Sequence, residues 1–145
     1  MSRNVSVDDG RLRFVQAIRV GPHVLQADEP AEVGGNDAGP GPYELLLAAL
    51  GACASITVRM YADRKQWPLE GVHVELAWAK VCAEDCAEGD AGAGMVDGIE
   101  MEISFFGELS EDQRRRLTEI ANRCPVHRTL SSQVQIHTRP AHVAL

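Results

Sequence analysis

From Leu45 to Ala54 the chain reads LLLAALGACA, a stretch in which every residue is apolar or glycine and Cys53 is the next-to-last position. No polar face repeats within it, so a helix there is expected to be buried on all sides rather than amphipathic. Pro42 suits the first turn, where its missing N–H costs nothing. The helix is expected to reach about Gln66 and to stop before Pro68, emerging from the core where Arg59, Asp63, Arg64 and Lys65 enter. The apolar run is too short to cross a bilayer, which takes about 20 such residues. Cys53 therefore reads as an interior residue. Ala48, Ala49, Gly51, Ala52, Ala54 and Ser55 are small enough to admit a second helix, from this chain or a symmetry mate.

Around that helix the chain alternates in the manner of strands. Arg11 to Ile18 and His23 to Ala27, joined by the Gly21-Pro22 turn, predict a hairpin. The segment from Asp28 to Gly41, rich in Gly and Pro, reads as a flexible loop or, functionally, as a lid or dimer-contact segment. Val72 to Val81 and Gly98 to Gly107 alternate strongly and predict a second strand pair, linked by an Ala-, Gly- and acid-rich connection from Cys82 to Asp97. Ser110 and Gln113 form a capping-box pattern opening a helix to about Arg123, with Leu117, Ile120 and Ala121 as its apolar stripe. A short helix from Pro125 to Leu130 and a strand from Gln133 to Thr138 complete the order. This succession predicts one α+β domain spanning residues 1–145, with a mostly antiparallel sheet and a long buried central helix.

Composition narrows the partners. With 14 basic and 21 acidic residues the net charge is −7, which opposes nucleic acid and anionic membrane surfaces. Met1 to Gly10 lacks the apolar core of a secretory signal, so a cytoplasmic location is expected. Four cysteines in a reducing compartment read as free, catalytic or metal-binding thiols rather than a structural framework.

Cys124 precedes Pro125, which places it at the N-cap of the short helix. Unpaired N–H groups and the helix dipole favour a thiolate there, with Arg123, His127 and Arg128 adding positive or potentially positive neighbours. On these grounds Cys124 is expected to be the more acidic thiol, and Cys53 a small core hydrophobe unless the fold brings the two together. Were they adjacent, one could attack an oxidant and the other resolve the sulfenic acid as a disulfide. Cys82 and Cys86 (CAEDC) form a weak metal-binding pattern. His23, His73, His137 and His142 read as surface residues.

The segment GPGPYELLLAALGACASITVRMYA, followed later by IANRCPVHRTL, resembles the OsmC/Ohr family of osmotically induced and organic-hydroperoxide-resistance proteins. The resemblance covers nearly the whole chain and lies with the OsmC-like branch. It implies an OsmC-like fold in an intertwined homodimer and a thiol-dependent peroxidase acting on organic hydroperoxides without a cofactor. Cys53 would be the peroxidatic thiol and Cys124 the resolving one, with an external dithiol, possible as a lipoyl-type compound, as reductant. It also implies an Arg oriented by a Glu. Glu44 is the nearest match for the acid, although the well-known peroxidase branch carries its acid directly after the proline, where Tyr43 stands here. Among Arg11, Arg13 and Arg19, Arg19 is preferred for the cation. The alternative is an OsmC-fold dimer that binds a small apolar ligand without turnover.

Overall fold

The computed structural model describes residues 3–82 and 95–141. The chain forms two compact units, the first ending at Ala49 and the second beginning at Leu50.

In the first unit, β1 (Val5–Asp9), β2 (Gln16–Val20) and β3 (His23–Ala27) form an antiparallel sheet in that order. Val5 pairs with Val20, and Gln16 with Ala27. β1 is not among the strands expected from sequence, and the strand expected from Arg11 begins at Gln16. Arg11 and Arg13 instead take left-handed backbone angles, φ 61° and 54°, which no strand accommodates, and residues 10–14 form the return from β1 to β2. Gly21, at φ 56°, makes the expected turn into β3.

The loop that follows is pinned rather than open. Asp28 is only 2 % exposed and its carboxylate accepts the backbone N–H groups of Glu29 (2.8 Å), Asn36 (3.0 Å) and Ala38 (3.1 Å). A short 3-10 turn, Ala31–Val33, fills the arc between them. Burial alone would raise the Asp28 carboxyl, but the three donors stabilise the anion more strongly and hold it below the ordinary carboxylate range.

Helix α1 (Pro42–Lys65) starts where expected, and Gln66, at φ 57°, terminates it. It is long and apolar enough to cross a bilayer by length and composition, which the shorter apolar run had not suggested. Its burial is one-sided. Leu50, Ala54, Val58 and Ala62, four residues apart, form a stripe inside the core of the second unit. Ile56 and Met60, on another face, are 59 % and 63 % exposed, and Ala52 is exposed beside them. The expectation of burial all round is corrected accordingly. Apolar side chains surround the helix, but among the described residues of the second unit the buried ones are on one face.

Those elements are β4 (Gly71–Cys82), β5 (Met95–Phe106), α2 (Glu111–Ala121) and α3 (Pro125–Leu130). β4 and β5 form an antiparallel ladder from Gly71↔Phe106 to Cys82↔Met95, so the second strand starts three residues before the expected Gly98. At Gly51 the close neighbour is Leu76 of β4 rather than a second helix: a Cβ there would stand 2.7 Å from the Leu76 side chain. The capping box of α2 is present, with Gln113 N–H donating to Ser110 Oγ at 3.1 Å and Ser110 N–H to the Gln113 side chain at 2.9 Å. Arg114 fixes α2 to the end of β5 by donating to the carbonyls of Phe105 and Gly107. Leu117, Ile120 and Ala121 complete the core, as their spacing predicts.

Gln133 to Thr138 is not a strand. None of the described strands pairs with it, and Ile136 is 84 % exposed. Its alternating pattern is that of a strand, but a ladder needs a free edge beside it. The greater part of the Cys82 to Asp97 connection, together with Cys86 and His142, falls outside the described residues.

Asp28→Ala is expected to leave three amides without an acceptor. Hydrogen exchange at Asn36 and Ala38 should then rise at neutral pH, with unchanged exchange contradicting the role. Because the folded carboxyl is lowered, its contribution is complete above the unfolded value of about 3.9 and fades as pH falls through the folded one. The unaltered protein should therefore show the same loosening only in acid.

Candidate redox site

Two helices and one turn build the site. Cys53 lies on α1 between the core residues Leu50 and Ala54, half-buried and packed against the cluster that contains Cys124. Cys124 ends the α2–α3 connection in extended conformation (φ −64°, ψ 148°), with Pro125 directly after it. Its sulfur accepts the His127 backbone N–H at 3.4 Å, which is the expected N-cap arrangement. Cys124 is fully buried and its thiol is within hydrogen-bonding reach of Cys53. Both are free thiols.

The environment of Cys124 reverses the acidity argued from its N-cap position. Burial has the largest effect, raising its thiol by penalising the anion. The N–H groups of His127 and Val126 pull the other way, while the hydrogen bond and charge of Cys53 push the thiol further up. The net direction is upward. A helix terminus can lower a thiol pKa only to the extent that its donors outweigh lost hydration, and here they do not. Cys124 therefore retains its proton, and its S–H can hydrogen-bond to the Cys53 sulfur.

The other residues named from sequence have local partners in the first unit. Arg19 of β2 pairs with Asp8 of β1 at 2.7 Å, both side chains exposed. The Glu44 carboxylate accepts the Gly41 N–H at 3.0 Å, closing the first turn of α1. Of the four candidates, the described geometry joins Cys53 and Cys124. Among the described residues no cluster of three His, Cys, Asp or Glu side chains is arranged to hold a metal.

A cavity of about 410 Å³ lies in the second unit between α1, β5 and α3, and neither thiol is among its lining residues. Leu50, Ile99, Met101 and Leu130 supply apolar wall, and Asn122 and His127 supply polar groups. Leu50 precedes Cys53 by three residues and His127 follows Cys124 by three, so each stands about one turn along its own helix from a thiol. Alternation predicts that Ile99 and Met101 share one strand face, but the cavity itself has no sequence signal, because its walls come from elements distant in sequence.

A family model described as OsmC-like protein matches residues 34–139. Among solved structures, an osmotic stress induced and detoxification response protein from Psychrobacter arcticus 273-4 superposes with a TM-score of 0.69 at 17% identity, covering 89% of this chain and 88% of that one. An OsmC like protein from Mycoplasma pneumoniae gives 0.68 at 18% identity, with 90% and 88% covered. An organic hydroperoxide resistance protein OsmC from Legionella pneumophila gives 0.63 at 19% identity, with 90% and 89% covered. These likenesses show the fold. No curated protein matches the chain.

Iodoacetamide at neutral pH is expected to alkylate Cys53 well before Cys124, as read by peptide mass mapping of the folded, reduced protein. Faster labelling of Cys124 would contradict both its burial and its raised thiol.

Proposed function

Since the chain belongs to the family of OsmC-like proteins, we propose that its apposed thiols form the two-cysteine centre of a peroxidase reducing organic hydroperoxides. The observation that carries the reading is the asymmetry of the pair: one sulfur half-buried on α1, the other fully buried and retaining its proton beside it. The Cys53 thiolate attacks the terminal peroxide oxygen, the O–O bond breaks, and the alkoxide departs and is protonated to the alcohol. Cys53 becomes a sulfenic acid. Cys124 attacks that sulfur, its proton leaves with the sulfenic oxygen as water, and a Cys53–Cys124 disulfide forms. An external dithiol, such as a lipoyl-type compound, then restores both thiols. No metal or organic cofactor enters the cycle.

Other features fit the reading. The apolar surroundings of Cys53 favour a lipophilic peroxide, and the exposed face at Ala52, Ile56 and Met60 suits a homodimer contact. Thiols cycled by a dithiol belong in a reducing compartment, here the cytoplasm. Arg19 and Glu44 remain the chain's nearest matches to an Arg–Glu pair. To serve the site they would exchange their present partners, Asp8 and the Gly41 N–H. The cavity favours a second reading, a dimer that holds a small apolar ligand without turnover.

Stopped-flow mixing of the reduced protein with cumene hydroperoxide separates the two. Oxidation is expected at low molar excess, falling to background in Cys53→Ser, whereas Cys124→Ser should react once and stall as a sulfenate. Absence of thiol oxidation at low molar excess would remove the peroxidase and leave the binding protein.

A further inference from the structure

Apart from the thiol pair, the second unit gathers positive charge around one phenol. Tyr61 lies on α1, half-buried against the core, with Trp67 packed edge to face on it at 5.5 Å between ring centroids. Three cations stand at its ring: the Arg116 guanidinium 5.5 Å from the centroid, the Lys65 ammonium 5.7 Å and the Arg64 guanidinium 5.8 Å. Arg116 also donates from Nε to the Tyr61 hydroxyl oxygen at 3.1 Å. We propose that Tyr61 is a modification site, nitrated by the radical pair that peroxynitrite forms with carbon dioxide.

Three observations carry the assignment. First, the cations are available to an incoming anion. Arg116 is paired with Glu119 at 2.9 Å, but Arg64 and Lys65 have no carboxylate partner among the described residues, and Asp63 beside them pairs with Arg59 at 3.9 Å. A chain of net charge −7 repels anions as a whole, so a local cluster of this kind draws an anionic oxidant to itself. Second, the hydroxyl is prepared to lose its proton. The Arg116 hydrogen bond has the largest effect and lowers the Tyr61 phenol; burial opposes it, and the charges of Arg116, Lys65 and Arg64 lower it further. Third, the position suits a small reagent rather than an enzyme. Tyr61 stands inside a 24-residue helix, which a modifying enzyme would have to unwind to seat the residue, whereas a diffusing radical needs only the exposed part of the ring.

The step balances. Peroxynitrite and carbon dioxide give nitrogen dioxide and the carbonate radical anion. The carbonate radical anion takes one electron from Tyr61 and the phenolic proton follows, leaving bicarbonate and a tyrosyl radical. Nitrogen dioxide bonds to the ring carbon beside the one that carries oxygen, and the hydrogen of that carbon passes to the oxygen, giving 3-nitrotyrosine. No peroxidase activity of the chain is required.

The chain has two tyrosines, which supplies an internal control. Tyr43 is 70 % exposed, so exposure alone would make it the better target. After a limiting dose of peroxynitrite in bicarbonate buffer at neutral pH, peptide mapping should find about threefold more nitration at Tyr61 than at Tyr43, a modest margin because salt screens surface charges. The order should hold in Cys53→Ser, where a thiol on the same helix no longer competes for the radical. Replacing the exposed cations together, Arg64→Gln with Lys65→Gln, should erase the preference. In the nitrated protein the nitrophenolate absorbance should titrate below that of free nitrotyrosine, with Glu119 as the one acid opposing the three cations, and Arg116→Gln should move the midpoint up. Equal nitration of the two tyrosines in Cys53→Ser, a preference for Tyr43, or a preference for Tyr61 that survives the loss of Arg64 and Lys65 would overturn the proposal.

Discussion

Loss of hydration at the Cys124 sulfur is the constraint on which the site depends. A thiol at a helix N-cap next to a proline would ordinarily be the acidic member of a pair. Packed within the core formed by α1, β5 and α2, it is cut off from water, and two backbone N–H donors do not replace that solvation. The outcome is a division of labour between identical side chains. In the proposed cycle the half-buried sulfur of Cys53 would meet the oxidant, while the buried Cys124, whose thiol is raised, would keep its proton.

The packing that creates this division has few adjustable parts. α1 presents Leu50, Ala54, Val58 and Ala62 to the core at helical spacing, and Cys53 sits beside that stripe. Gly51 lets Leu76 of β4 lie close against the helix. α2 is fixed by its capping box and by Arg114, which sets where α3 can begin and hence where Cys124 ends. Interiors pack densely, so a small shift in any of these elements would move one sulfur away from the other.

Much of this was legible in the residues. Pro42 and the apolar run marked α1, though not that only one of its sides is covered; alternation marked β3, β4 and β5, and Ser110 with Gln113 marked the start of α2. Cys124-Pro125 marked an N-cap. What could not be read was whatever depends on tertiary surroundings. Burial overrode the acidity argued for Cys124, and left-handed Arg11 and Arg13 displaced the expected first strand while β1 passed unnoticed in a polar segment. The Gly- and Pro-rich loop looked flexible because its organiser, Asp28, acts on amides up to ten residues away. Gln133 to Thr138 alternates like a strand, yet no described edge receives it.

The central claim is that the two sulfurs work as one couple, and peptide mapping after a single equivalent of cumene hydroperoxide tests it most directly. The account predicts that the main product is a peptide pair linked through Cys53 and Cys124. Recovery of Cys53 as sulfinic acid with Cys124 still a free thiol would contradict it, because an adjacent resolving thiol would have intercepted the sulfenic acid first.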